Sequence, residues 1–127
     1  MSEKTVLQRF QAKPGDRIAL VAASDDDRAL FGPLPDGVTE GDVASAAVVA
    51  TVVRSRDELL ARYAEQLPVA SGARAVWVVY PKGGRADVNR DLVAGEARTH
   101  GWRGVSNIAV DDIWSAVRVR PLKDGEE

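Results

Sequence analysis

The fold is decided by residues 46–80, which read AAVVATVV (46–53), RSRDELLARYAEQL (54–67), PVASG (68–72) and ARAVWVVY (73–80). The first and last of these runs are apolar and rich in valine, which is typical of buried strands. Between them, Ser55 and Glu58 have the spacing of a capping box at a helix N-terminus, and Pro68 ends the helical pattern. A strand, a helix and a strand within about 35 residues predict two parallel strands joined by a crossover helix.

The flanking segments extend this unit on both sides. On the N-terminal side we predict a short helix within residues 5–11, a strand over 17–23, a helix over 26–31 and a brief edge strand over 38–40. On the C-terminal side we predict a helix that begins after Asp87 or Asn89 and ends near Thr99. Strands over 104–110 and 114–120 follow, and the short turn between them predicts an antiparallel hairpin.

The predicted elements define an α/β fold. We expect a small three-layer domain whose sheet is mostly parallel and has an antiparallel C-terminal edge strand. An α+β sandwich with a different strand order is the alternative. Residues 1–127 fit a single domain, with an ordered core over about 5–122 and a flexible tail over 123–127, because that tail is short and charged.

Composition excludes several classes of function. The chain has 127 residues, no cysteine and one histidine, His100, so disulfides, thiolate nucleophiles and sites with two imidazoles are excluded. Nineteen acidic and seventeen basic residues give a net charge of -2, so a nucleic-acid partner is not expected. No apolar run is long enough to span a bilayer, and the charged N-terminus does not resemble a secretory signal. We therefore expect a cytoplasmic protein with no membrane partner.

Four short motifs carry a resemblance to a known family. They are Lys13-Pro14-Gly15, GPLPDG (32–37), Tyr80-Pro81-Lys82 and VDDIWS (110–115). In this order they resemble a bacterial family of small proteins of unknown function, over roughly Val6 to Leu122. The resemblance implies a Rossmann-like fold of the methyltransferase type in reduced form. It implies no activity, because none is established for that family.

The turn after the first strand argues against a bound nucleotide cofactor. Such sites need glycines there, so that the backbone can approach the ligand closely. Here the turn reads AASDDD (22–27), with no glycine and three aspartates. An acid at the end of the second strand, the usual ribose partner, is available only as Glu40 or Asp42. We expect no cofactor and do not expect adenosylmethionine to bind.

A tentative ligand site follows from the strand ends. In open α/β sheets, ligands bind outside the carboxyl ends of the strands. That rule brings five side chains to one rim: Lys82, Arg85, Asp111, Asp112 and Trp114. Two cations, two carboxylates and an indole would suit a small polar ligand. The alternative is an ion pair at the rim that contributes only about 0–1 kcal/mol, beside a tryptophan that packs as core.

Two functions remain open from the sequence. The first is a non-catalytic domain that acts through protein association or self-association, with the edge strand and Phe31, Leu34 and Trp102 as contact points. The second is a small-molecule binder, or a degenerate methyltransferase-like enzyme, that uses the rim. We assign no catalytic residue and no metal ligand. His100 is not expected to act in catalysis, because no serine has the setting of a nucleophile elbow.

Overall fold

The computed structural model describes residues 6–22, 24–70, 72–83, 86–123 and 125. These ranges contain four α-helices and two short 3₁₀ turns, at Ala29–Phe31 and Val43–Ser45. The helices are α1 (Val6–Arg9), α2 (Asp25–Arg28), α3 (Arg56–Gln66) and α4 (Arg90–Thr99). None of the helices in these ranges has the length and apolar character needed to cross a membrane.

Six strands form one sheet in the order β2-β1-β3-β4-β6-β5. The four strands β2, β1, β3 and β4 are mutually parallel, whereas β6 is antiparallel to both of its neighbours. The strand bounds are β1 (Arg17–Val21), β2 (Thr39–Glu40), β3 (Val48–Val52), β4 (Ala75–Pro81), β5 (Trp102–Ala109) and β6 (Trp114–Pro121).

The predicted α/β fold is confirmed, including its mostly parallel sheet and its antiparallel edge. That edge is the β5–β6 hairpin as a whole: β6 pairs with β4, and β5 is the outermost strand. The C-terminal strand β6 therefore lies one position inside the edge. The sequence pattern predicts it to be the outermost strand. Hairpin spacing predicts that two strands pair, but it does not predict which of them faces the rest of the sheet.

The two central strands explain the three-layer arrangement. Every residue of β3 and of β4 is buried, so both faces of the sheet must be covered. Helices α3 and α4 cover one face through Leu59, Tyr63 and Val93. The N-terminal segment covers the other face through Leu7, Phe10 and Phe31. Alternate residues along each strand therefore enter different cores.

Helix α3 begins as the capping-box spacing predicts. The Ser55 hydroxyl oxygen accepts a hydrogen bond from the Glu58 backbone N–H at 3.1 Å. The Glu58 carboxylate accepts from the backbone N–H of Arg54 at 2.7 Å, one residue before the cap. These two hydrogen bonds hold the turn between β3 and α3 in place, and they fix the backbone of Arg54 within it.

Phe10 fastens the N-terminal segment to the sheet. Its ring stacks on Trp77 with centroids 4.6 Å apart and planes 10° from parallel. The indole N–H of Trp77 donates to the Phe10 carbonyl oxygen at 3.0 Å, so the buried donor is satisfied. Helix α1 has only four residues, and a helix this short is not stable alone. Its position therefore depends on the contact between Phe10 and Trp77 and on the burial of its own residue Leu7.

We predict that Phe10→Ala lowers the free energy of unfolding by about 3–5 kcal/mol, because it leaves a cavity against Trp77. Denaturant unfolding followed by tryptophan fluorescence measures the change. Val69→Ala is the control, since Val69 is 49% exposed and its truncation should change stability by no more than about 0.5 kcal/mol. An equally small effect of Phe10→Ala would contradict the role given to this contact.

Candidate functional site

The carboxyl ends of the parallel strands meet at one edge of the sheet. There β1 ends at Val21, β3 ends at Val52 and β4 ends at Pro81. Antiparallel β6 starts at the same edge, because Trp114 pairs with Pro81. Strand β1 pairs with β2 on one side and with β3 on the other, so the connections that follow β1 and β3 separate here. Ligands in open α/β sheets bind at such a switch point. We call the space between the ends of β1 and β3 the crevice.

An ion pair joins the two sides of the crevice. Asp27 of α2 follows β1, and Arg54 follows β3. The Arg54 Nε donates to both carboxylate oxygens of Asp27, at 2.9 and 3.0 Å, and Nη2 donates to Oδ1 as well. Asp27 is 2% exposed, whereas the Arg54 side chain is 56% exposed. The hydrogen bonds to this carboxylate raise the pKa of Arg54 above its usual value.

Trp114 adds a third member to this arrangement. The guanidinium carbon of Arg54 lies 4.8 Å from the centroid of the Trp114 ring, which is a cation–π distance. Trp114 itself is 6% exposed and belongs to the core that also contains Phe10 and Trp77. Arg54 is therefore held by a buried carboxylate and an aromatic face at once. We call these three side chains the crevice cluster.

The cluster depends on how α2 orients three consecutive aspartates. Ser24 caps α2 by accepting a hydrogen bond from the Asp27 backbone N–H at 3.2 Å. Asp25 and Asp26 are exposed, and only Asp27 turns toward the sheet. In the sequence, residues 25–27 form one acidic run, and Arg54 is not among the predicted site residues. The available signal was position, since Arg54 directly follows the strand that neighbours β1.

The structure describes four of the five side chains predicted to share the rim, and their surroundings differ. Trp114 enters the core on the α1 side, as a member of the crevice cluster. Lys82 lines a groove that also contains residues of α4. The Asp111 carboxylate accepts from the backbone N–H groups of Ile113 and Trp114, both at 2.8 Å, and so holds the turn before β6. Asp112 is exposed, and Arg85 lies outside the described residues. Ligand binding by these five residues stays a prediction.

Two further grooves flank the crevice cluster. The β2 groove has a volume of about 560 Å³ and is lined by Leu20, Asp25, Arg28, Leu34 and Glu40, among others. An ion pair between Arg28 and Glu40 contributes to its wall, and the Glu40 carboxylate raises the pKa of Arg28.

The α4 groove has a volume of about 420 Å³ and is lined by Tyr80, Lys82, Asn107, Ser115 and residues 89–91. None of the three members of the crevice cluster lines either groove. Within the described ranges, no group of three or more acidic or histidine side chains could hold a metal ion.

Comparison with solved structures finds the same fold in proteins that share little sequence with this chain. A Streptococcus agalactiae protein of the NADB-Rossmann superfamily superimposes with a TM-score of 0.59 and 8% identity, over 95% of this chain and 69% of that one. The B. subtilis M1A22 tRNA methyltransferase TrmK gives 0.58 and 9% identity, over 98% and 71%. A ribosomal protein L11 methylase from Lactobacillus delbrueckii subsp. bulgaricus gives 0.52 and 9% identity, over 91% and 74%.

At such low identity these similarities show the fold alone. No protein-family model and no curated protein matches the sequence. The predicted Rossmann-like α/β fold therefore agrees with these solved structures. The resemblance to one bacterial family of unknown function stays a prediction.

We predict that Asp27 and Arg54 are energetically coupled. Arg54→Met should lower the free energy of unfolding by about 2–3 kcal/mol, because it removes charge-assisted hydrogen bonds from a buried carboxylate. Asp27→Asn in the Arg54→Met background should recover part of this loss, since the buried group is then neutral. A double-mutant cycle by denaturant unfolding should give a coupling energy above about 1 kcal/mol.

The pair between Arg28 and Glu40 is the matched control. Its two side chains are 42% and 37% exposed, so the same cycle should give less than about 1 kcal/mol. Equal coupling in the two cycles would contradict the special role of the crevice pair.

Proposed function

We propose that this chain is a non-catalytic domain with a methyltransferase-like fold and that it acts through protein association. The observation that carries the proposal is the crevice cluster. Arg54 contacts both Asp27 and the Trp114 ring beside the switch point where a cofactor would be expected in such a fold. We therefore propose that the domain acts through its outer surface and not through the crevice.

The energetics of the cluster support this proposal. A cofactor that entered the crevice would have to displace the Arg54 guanidinium from Asp27 and from the Trp114 ring. The Asp27 carboxylate is almost completely buried, so losing its cation would leave an uncompensated charge, at a cost of about 2–3 kcal/mol. The turn between β1 and α2 also lacks the glycines that would let a ligand approach the backbone.

The outer edge of β5 is the proposed contact surface. This strand has eight residues and ends the sheet on its side, whereas the opposite edge strand β2 has two. A long edge strand offers backbone N–H and C=O groups to a strand of a partner. Val105, at the bulge between Gly104 and Ser106, is 39% exposed and adds an apolar contact.

Two of the residues expected as contact points are part of the core. Phe31 and Trp102 are 1% and 4% exposed, so they cannot contact a partner. Leu34 is 37% exposed and lines the β2 groove. The sequence predicts both aromatic side chains to be contact points, and this prediction is wrong for the two rings. Phe31 is the last residue of a 3₁₀ turn and Trp102 is the first residue of β5, and both side chains are buried.

We predict that the chain self-associates through β5. Sedimentation velocity at about 100 µM should show a dimer, and Val105→Lys should weaken dimerisation at least about tenfold, because a charge on an edge strand opposes pairing. Val69→Lys is the matched control, since Val69 is similarly exposed but lies after α3. A wild-type chain that stays monomeric at this concentration, or equal effects of the two substitutions, would count against self-association.

A degenerate methyltransferase-like binder is the second candidate, and the β2 groove favours it. The groove has the volume of a small-molecule pocket, and Glu40 lies at the end of β2, where an acid can bind ribose hydroxyl groups. Against it, Glu40 is already paired with Arg28.

Thermal unfolding with adenosylmethionine separates the two candidates. For the non-catalytic domain we expect no change in Tm up to 1 mM cofactor, a concentration at which a Kd of about 10 µM would add about 2.7 kcal/mol of stability. A concentration-dependent rise that disappears in Glu40→Ala would overturn the proposal in favour of the second candidate. Glu65→Ala, on the exposed face of α3, is the control for loss of an acidic side chain.

A further inference from the structure

The α4 groove contains polar groups from four separate segments of the chain. Tyr80 comes from β4, Lys82 from the loop after it, Asn107 from β5 and Ser115 from β6. The first turn of α4 closes the remaining side. Tyr80 and Ser115 are each 5% exposed, so the floor of the groove is made of buried hydroxyl groups.

The orientation of Asn107 fixes the role of the Tyr80 hydroxyl. The Asn107 Nδ2 lies 3.2 Å from the Ala116 carbonyl oxygen, which can only accept, so the amide nitrogen must face this side. The same nitrogen lies 3.2 Å from the Tyr80 Oη and 3.3 Å from the Ser115 Oγ. Tyr80 Oη is therefore an acceptor in this contact, and Ser115 uses its own proton on the Ile108 carbonyl at 3.0 Å.

The Tyr80 proton is consequently left for another acceptor. Among the described residues, no group accepts a hydrogen bond from the Tyr80 hydroxyl, although the residue is almost completely buried. The hydroxyl accepts a hydrogen bond from Asn107 and donates none to the protein groups that the structure describes, so a bound water, ion or ligand can take its proton. Here the unused donor belongs to a residue that lines the groove.

Two cationic side chains also line the groove. Lys82 lines it from the loop that follows β4. Its backbone N–H donates to the Ile113 carbonyl at 2.9 Å, which extends the ladder between β4 and β6 and fixes the position of the residue. Arg90 lines the groove from α4. Asp91 is the acidic member of the lining, and its side chain is 91% exposed and lies 3.8 Å from Arg90 Nε.

The first turn of α4 contributes further donors. Asn89 caps the helix by accepting from the Leu92 backbone N–H at 2.8 Å, which leaves the N–H groups of Arg90 and Asp91 without helical partners. The ten-residue helix also places the positive end of its dipole here. Gly104 fixes the helix against β5, because a Cβ at that position would lie 3.1 Å from the Ala94 Cβ.

From this geometry we propose that the α4 groove is an oxyanion site, which takes the carboxylate or phosphate group of a small molecule. The Tyr80 hydroxyl would donate to the anion, Lys82 and Arg90 would balance its charge, and the first turn of α4 would supply backbone donors. A volume of about 420 Å³ holds a small metabolite and not only the anionic group. The groove shares no residue with the crevice cluster, and binding of a small anion there does not depend on association through β5, so this inference does not rest on the proposed function.

The test is an NMR titration of the full, ¹⁵N-labelled chain with inorganic phosphate and, in a second arm, with acetate. Sodium chloride holds the ionic strength constant in both arms. We expect saturable chemical-shift changes at the backbone amides of Lys82, Arg90 and Asp91. Saturation at lower phosphate than acetate assigns phosphate esters as the ligand class, and the reverse order assigns carboxylates. Non-saturating changes in both arms overturn the proposal.

Two substitutions test whether the chemical-shift changes arise from binding in the α4 groove. Tyr80→Phe removes only the hydroxyl, and Lys82→Gln removes the charge; each should weaken binding about tenfold or more, as loss of one charge-assisted hydrogen bond does. Lys13→Gln is the matched control, because Lys13 is an exposed lysine on the N-terminal turn, and it should leave the affinity unchanged. Affinities within twofold of wild type for both Tyr80→Phe and Lys82→Gln overturn the assignment to this groove. Dispersed spectra of the variants verify that each remains folded.

Discussion

The structure depends on the burial of β3 and β4 on both faces. Their twelve residues are all buried and almost all apolar, so no stable arrangement leaves either side of the sheet open to water. This constraint requires helices α3 and α4 on one face and the N-terminal segment on the other. Because β1, β3 and β4 are parallel, their carboxyl ends meet at one edge, where Arg54 contacts Asp27 and Trp114.

At that edge, charged side chains of this chain pair with each other. Rossmann-like folds that bind nucleotides keep the first strand-to-helix turn open and rich in glycine. In this chain the turn supplies a buried carboxylate, and the neighbouring strand supplies the guanidinium that neutralises it. The ion pair stabilises the edge internally. A hydroxyl proton that no described group accepts lies elsewhere, on Tyr80, which lines the α4 groove.

Local patterns predicted the elements well, and they predicted side-chain partners poorly. The capping spacing of Ser55 and Glu58 and the apolar runs in β3 and β4 were sufficient, because each depends on neighbours in sequence. Asp27 and Arg54 are 27 residues apart, and their contact requires both strand order and helix phase. The grouping of Lys82 with Trp114 was inferred from strand ends alone. Side chains near one edge of a sheet can point to opposite faces of that sheet, and strand ends do not show which face each side chain takes.

The position of β6 between β4 and β5 also constrains how the chain folds. Strand β5 comes earlier in sequence than β6, yet it has no place in the sheet until β6 has paired with β4. The two strands pair locally with each other, and the closure of the loop that contains α4 brings them to β4. The hairpin therefore joins the sheet as a unit. Its detachment would expose the β4 edge and the α4 groove in a single step, which makes this half of the domain one cooperative unit of opening.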